Sequence, residues 1–311
     1  SRFIESLLLG LPVPSIFLAN MPDGTRLIVD GYQRIMTLYH YIIVGRWKET
    51  HEVFNLFNST LINEKWRNKT YEELEPADQR RLRLYTIHAI VFEQKRPRGD
   101  SSLYQIFERI NTSGKSLLPQ EIRNCVYQGA MNTLLIELNK SEDWRFLYGT
   151  SKQDERMRDI ELILRFFAMN TPEVYNSDKR YISLKLLLND YMGAHIKASP
   201  DFLKSCSDDF NRTVSFIKDH FHEESFYNLQ KDNSKYRKKL YPTVFDSLMI
   251  ATSIALKRGY VYKGEDLAER KYSLLSQQEF KDCITQGTMQ VENIKKRISM
   301  VLEQIFKMPL V

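Results

Sequence analysis

Apolar residues recur along this chain at two different periods, and the change of period divides it. Ile4, Leu7, Leu8 and Leu11 stand at helical spacing, and Gly10 with Pro12 ends that helix. Ser15 to Ala19 and Arg26 to Val29 are short apolar runs flanking Asp23-Gly24, a dipeptide suited to a tight hairpin turn, so two antiparallel strands are expected. The second run enters Asp30-Gly31 and is followed by Ile35, Leu38, Tyr39 and Ile42 at helical spacing, which predicts strand, tight turn, helix. Residues 46–85 set Trp47, His51, Phe54, Phe57 and Leu61 ahead of a charged stretch from Glu72 to Arg83, and give only short strands and one polar helix. Thr86 to Phe92 is β-branched and aromatic and predicts a further strand. Leu103, Ile106, Phe107 and Ile110 then make one stripe on a helix that Asp100 can cap and Asn111-Thr-Ser-Gly114 stops.

Beyond residue 117 the pattern is almost wholly helical. Pro119 suits the first turn of a helix carrying Ile122, Cys125, Val126, Leu134 and Leu138. Further stripes run through Ile160, Ile163 and Phe167, through Leu184, Leu187, Leu188 and Tyr191, and through Phe210, Val214, Ile217 and Phe221. Val244, Leu248, Ala251 and Ala255 give another, and Val291, Ile294, Ile298, Val301 and Ile305 a last one. The expectation is an α+β domain over residues 1–117 and a mainly α-helical domain over 118–311. No period of 20–50 residues repeats, which argues against a solenoid.

Composition narrows the class. With 311 residues, 42% of them hydrophobic, there is ample material for a core, and the longest apolar run, Leu7 to Ala19, is interrupted by Gly10, Pro12 and Pro14. That run falls short of the ~18 residues a membrane span needs. Three widely separated cysteines, Cys125, Cys206 and Cys283, form neither a disulfide framework nor a zinc spacing, so a reducing cytoplasm is the expected compartment. The net charge is +6, and residues 1–120 hold 16 basic and 13 acidic side chains, so no tail concentrates the charge.

The sharpest local feature is Val29-Asp-Gly-Tyr-Gln-Arg34. A strand-to-helix turn brings free backbone N–H groups together with the positive end of the helix dipole, and a glycine there lets a ligand approach the backbone closely. Arg34 adds a planar fork able to give one phosphate two parallel charge-assisted hydrogen bonds. On spacing alone, an ordinary Asp-Gly turn with Asp30 capping the helix and Arg34 in solvent explains the same residues.

Three ordered blocks give this turn a context. Arg26-Leu-Ile-Val29 followed by Asp30-Gly31-Tyr32-Gln33-Arg34 resembles the DGQQR motif of the domain-of-unknown-function-262 family, also described as the GmrSD-type restriction N-terminal domain. Arg2 to Pro14 is similar to the segment leading into that family's first hairpin. Phe107-Glu-Arg-Ile-Asn-Thr-Ser-Gly-Lys-Ser-Leu117, ahead of Glu121-Ile-Arg-Asn124, is similar to its second block. The resemblance implies a ParB/sulfiredoxin-like α+β fold whose glycine turn and following helix bind phosphate or nucleotide. It also implies a bacterial anti-phage restriction factor that couples a nucleoside triphosphate, GTP or another, with Mg²⁺, to the cleavage of modified DNA by a separate nuclease region.

By that resemblance Asp30, Gln33 and Arg34 carry over as catalytic positions, and Asp30, Gly31, Tyr32, Gln33 and Arg34 as nucleotide-binding ones. Tyr32 replaces the family's Gln, exchanging an amide able to orient water for a phenol, so binding without hydrolysis, as in a nucleotide-gated DNA-binding or scaffold module, stays open. The family's additional opening strand has no counterpart here, the chain beginning at Ser1, so an N-terminal segment is expected to be missing. The partners implied are DNA, a nuclease subunit or a nuclease domain outside this sequence, and further copies of the chain, with no membrane.

Asn111, Ser113, Gly114 and Lys115 form a second constellation, read as bringing polar groups to the same phosphate pocket, with Glu121, Arg123 and Asn124 supporting the loop. Helix capping explains this set equally well. No metal-ligand spacing stands out, and His220-Phe-His222 falls at a helix end without the strands of a ββα nuclease site, so no nuclease centre is expected in this chain. Four basic clusters remain: Arg80, Arg81 and Arg83; Lys95, Arg96 and Arg98; Lys231 to Lys239; and Lys295, Lys296 and Arg297. Lys235, Arg237, Lys238 and Lys239, interleaved with Tyr236 and Tyr241, are the preferred DNA contacts.

Overall fold

The computed structural model describes residues 1–20, 24–47, 51–93, 101–110 and 117–309, with residues 101–103 described by backbone alone. Contacts divide the chain into two compact units, Ser1–Ser116 and Leu117–Val311. The fold is α+β in the first and mainly helical in the second.

The first unit opens with α1 (Arg2–Leu8), which buries Ile4, Leu7 and Leu8. Strands β1 (Ile16–Asn20) and β2 (Arg26–Asp30) pair antiparallel, and β3 (Ala89–Glu93) joins the other edge of β1 in parallel, giving the order β2-β1-β3. Helix α2 (Tyr32–Tyr39) follows β2 directly and continues into a π-helical turn, His40–Val44. The chain then crosses from β2 to β3 by way of α3 (Pro76–Leu84), and this crossover carries most of the core: Tyr41, Phe54, Leu56, Trp66 and Leu82 cluster with the α1 residues. Burial of each such side chain contributes roughly 1.5–3 kcal/mol. Within residues 46–85, irregular chain buries large aromatics, so their apolar positions follow no helix or strand period. Helix α4 (Ser101–Ile110) packs on β2 and buries Tyr104 and Phe107.

The second unit holds α5 (Pro119–Val126), α6 (Ala130–Leu138), α7 (Glu142–Tyr148), α8 (Arg158–Met169), α9 (Pro172–Tyr175), α10 (Leu184–Ala194) and α11 (Pro200–Phe221). After a hairpin of β4 (Tyr227–Leu229) and β5 (Tyr236–Leu240) come α12 (Pro242–Lys257), α13 (Leu267–Ser276), α14 (Gln278–Thr285) and α15 (Val291–Gln304). Helix α12 is buried on nearly every side and packs against α8, α11, α14 and α15, so it forms the axis of the unit.

Two expectations are corrected here. The single helix expected from Pro119 to Leu138 is two, α5 and α6, broken at Gly129, where an added Cβ would stand 2.4 Å from the Ile196 carbonyl oxygen. The expectation that no strands stand beside His220 and His222 is also overturned: residues 227–240, between α11 and α12, form an antiparallel hairpin. Among the described residues, no helix is long and apolar enough to cross a membrane.

Buried charge ties the helical unit together. Arg165 on α8 grips Asp246 on α12 through Nε at 3.0 Å and through Nη2, and the fully buried Arg297 on α15 places Nη2 3.8 Å from the same carboxylate. Two guanidinium groups thus share one aspartate inside the unit. A second buried knot joins Asp159 to Arg145 Nη1 at 2.6 Å, to Asn139 Nδ2 at 3.0 Å and to the Asp154 N–H at 2.9 Å.

Candidate functional site

The register of the first sheet builds the turn at Gly31. Phe17 lies opposite Asp30, so Ile16, one residue earlier, meets Gly31 at the mouth of the sheet. Gly31 has φ +97° and ψ 4°, a left-handed conformation that side chains strain to adopt, and a Cβ there would stand 2.4 Å from Ile16 Cγ2. Glycine is therefore required twice over, and its close neighbour is the chain's own Ile16.

Helix α2 begins at this glycine with no side-chain cap. Asp30 is not capping the helix and Arg34 is not in solvent; the two pair at 2.7 Å through Nη2, which also donates to the Ser15 carbonyl at 3.1 Å. Arg34 thereby clamps the first turn of α2 to the approach to β1. Its Nε is buried and has no partner among the described residues. Tyr32 and Gln33 are exposed on the outer side of the turn. Asn111, Ser113, Gly114 and Lys115 lie outside the described residues.

Glu121, Arg123 and Asn124 are placed within the C-terminal unit. Glu121 accepts the Leu118 N–H at 2.5 Å and Arg156 Nε at 2.9 Å, which fixes the start of α5 to the segment before α8. Arg123, 1% exposed, donates from Nε to Asn189 Oδ1 at 2.8 Å and from Nη1 to Glu161 Oε2 at 2.9 Å. Asn124 accepts from Asn132 Nδ2 at 2.9 Å. These contacts join α5 to α6, α8 and α10. The Leu118 contact is the capping that spacing allowed; the others it could not show, because each partner comes from another helix or from a later segment of chain.

The basic clusters differ in how far their charges are already engaged. Arg81 donates to the Leu8 carbonyl at 2.6 Å, and Arg83 lies over the Tyr71 ring. Lys296 pairs with Glu279 at 2.7 Å, and Arg297 belongs to the buried knot at Asp246. Lys95, Arg96 and Arg98 lie outside the described residues. Lys235, Arg237, Lys238 and Lys239 are all exposed on or beside β5. Tyr236 turns inward, edge-on to Tyr272 and beneath Lys271, whose Nζ is 4.6 Å from the ring centroid. Lys271 is itself buried, donates to the Glu224 carbonyl at 2.6 Å, and is pulled down to about 7 by burial.

His220 ends α11 with its ring against Tyr262, and His222 follows the helix with a positive φ. Among the described residues no three His, Cys, Asp or Glu side chains gather as a metal site. A groove of about 850 Å³, which no motif marks, lies in the C-terminal unit along α10, α11 and the end of α8, with Phe167, Tyr191, His195, Phe202 and Cys206 in its wall.

No curated protein and no solved structure matches the chain. A family model does match, described as the GmrSD restriction endonuclease, N-terminal domain, over residues 1–128. The match contains the Gly31 turn and reaches past α4 to include α5, whose partners belong to the C-terminal unit. On that match, the first 128 residues of this chain are similar to the N-terminal domain of the GmrSD restriction endonuclease.

Proposed function

We infer that this chain is a restriction-type phage-defence protein acting on DNA, and that its N-terminal unit binds the phosphates of a nucleoside triphosphate at the turn from Gly31 to Arg34. The observation that carries the reading is helix α2, which starts without a side-chain cap beside a guanidinium whose Nε is buried and unpartnered, inside the segment matched by the family model. A phosphate oxygen there would meet the positive end of the helix dipole and Arg34 together. Asp30 orients Arg34, and Gln33 stands at the rim for contact with the terminal phosphate. Asp30 is the single carboxylate in the turn, so Mg²⁺ would arrive on the triphosphate, held chiefly by phosphate oxygens and water. Cleavage of DNA falls to a nuclease subunit or domain outside this sequence.

Calorimetry at low salt with GTP, ATP, CTP and UTP, each with Mg²⁺, tests the site. At least one nucleotide should bind, Arg34→Ala should weaken it at least tenfold, and Arg34→Lys should recover only part of the loss because a lysine gives no fork. No binding to the folded wild-type protein, or binding indifferent to Arg34, contradicts the nucleotide site.

A second reading is a nucleotide-gated DNA-binding module that does not hydrolyse, in the manner of ParB-like proteins. It is favoured by the pairing of Asp30 with Arg34, which engages the turn's carboxylate, and by Tyr32, a phenol where the motif has an amide. Phosphate release with DNA present separates the two: steady turnover supports hydrolysis, and saturable binding without release supports the switch.

A further inference from the structure

We propose that the β4–β5 hairpin of the C-terminal unit is a rigid platform for the phosphate backbone of duplex DNA, contacted through Lys231, Lys235, Arg237, Lys238 and Lys239. The inference rests on the reading that the chain acts on DNA, and adds which surface does so and in what manner.

Charge bookkeeping sets the hairpin apart. Its five cations are exposed and make no ion pair among the described residues. Asp232, the acid in the turn, accepts both the N–H of Ser234 at 3.1 Å and its hydroxyl at 2.9 Å, so it serves the turn. Several exposed cations elsewhere pair with acids, as with Lys257 and Arg212 about Asp209 or Lys296 with Glu279. Five cations within nine residues, with Asp232 beside Lys235 as the single acid among them, repel one another in the free protein. A polyanion is the partner that relieves that repulsion.

Rigidity is the second argument. The hairpin is pinned at its turn, where the Asn233 carbonyl accepts the Tyr272 hydroxyl at 2.5 Å and Asn233 Oδ1 accepts Lys281 Nζ at 2.7 Å. Its base is closed by the Tyr241 N–H donating to the Phe226 carbonyl at 2.8 Å, and Lys271 Nζ holds the entry to β4 through the Glu224 carbonyl at 2.6 Å. Between these points Tyr236 packs on Lys271 and Tyr272, and Leu229 is buried. The hairpin therefore lies down on α13 and α14 with its cations on fixed backbone, which removes the ordering cost that a loose lysine loop would meet on binding.

The same anchoring selects the ligand. The ladder shifts register between Tyr227 and Leu229, so Arg237, Lys238 and Lys239 together stand opposite Asn228 and all three are exposed. Tyr236 is committed to the interior, so it offers no stacking platform for unpaired bases. A hairpin held flat against helices does not enter a groove as a free ribbon would. What remains is contact with the backbone of a duplex, indifferent to base sequence and steep in salt.

The test is fluorescence anisotropy of the full chain with a 24-base-pair duplex and the matching single strand, from low salt upward. The variants are Lys235→Gln/Arg237→Gln/Lys238→Gln/Lys239→Gln and a control that removes four other charges, Arg80→Gln/Lys179→Gln/Lys295→Gln/Lys296→Gln. The wild-type protein and the control should bind duplex alike. The hairpin variant should bind at least tenfold more weakly near 100 mM salt, with a log K against log salt slope shallower by about 0.9 for each phosphate contact removed. Equal loss in both variants, or none in the hairpin variant, overturns the hairpin while leaving action on DNA intact. Failure of the wild-type protein to bind any DNA at low salt overturns the DNA reading itself. Preference for the single strand overturns the duplex assignment. Thermal melts of both variants matching wild type exclude misfolding as the cause.

Discussion

The Gly31 turn and the β4–β5 hairpin both place arginine where an anion could meet it, but they differ in what each guanidinium already holds. At the turn, Arg34 is bound to Asp30 and to the Ser15 carbonyl, so an arriving phosphate must compete with or extend an existing clamp. On the hairpin, Arg237 and the lysines around it make no ion pair among the described residues. The contrast separates two kinds of proposed anion site: one whose cation also builds the fold, where ligand and structure would be coupled, and one whose cations would serve only the ligand. Substitutions at the first should cost both stability and binding, and at the second binding alone.

The largest expected effect comes from a cation pair at the extreme of the engaged kind. Asp246→Asn leaves Arg165 and Arg297 buried together without their carboxylate, and should destabilise the C-terminal unit by about 3–5 kcal/mol in urea unfolding. The four-fold hairpin variant should change the same measurement by no more than about 0.5 kcal/mol. A large loss in the hairpin variant would break the comparison by making its charges structural.

Gly31→Ala comes next. A left-handed φ and contact with Ile16 together should cost about 3 kcal/mol in stability of the N-terminal unit. Gly31→Ala with Ile16→Ala should recover the steric share and leave the backbone strain. If Gly31→Ala instead folds normally and only loses nucleotide binding, the glycine is there for the ligand and not for Ile16.

The last effect is pH-dependent. Burial holds the Lys271 ammonium down to about 7, well below the lysine range, so between that value and the ordinary one the unfolded chain binds more protons than the folded one. Stability should fall as pH drops from about 10 to about 7 and then level off, and Lys271→Met should lose that slope. A Lys271 side-chain resonance that titrates near the ordinary lysine value would contradict the burial argument and with it the tight seating of Tyr236.

Much of this was legible in the chain because local chemistry sets it. Asp23-Gly24 between apolar runs foretold the β1–β2 pairing, and the stripes through Phe210 to Phe221 and Val291 to Ile305 foretold α11 and α15. The hairpin was hidden because Arg237, Lys238 and Lys239 erase the alternation that marks a strand, and because Tyr236, the inward residue, reads like a stacking aromatic among charges. The clamp at Arg34 was hidden for another reason: one of its partners is a main-chain carbonyl, at Ser15, and backbone acceptors carry no residue-type signal. Glu121, Arg123 and Asn124 were visible as a motif, yet their partners Arg156, Asn189, Glu161 and Asn132 are set by helix packing, which spacing along one helix does not encode.

Whether the two proposed anion sites are separate is measured directly by crossed binding: nucleotide and duplex DNA titrated in turn against wild type, Arg34→Ala, Arg34→Lys and the four-fold hairpin variant. The predicted result is a double dissociation, in which the Arg34 variants lose nucleotide affinity and keep duplex affinity measured without nucleotide, while the hairpin variant does the reverse. Parallel loss of both ligands in either folded variant would contradict it, since one surface would then be serving nucleotide and DNA alike.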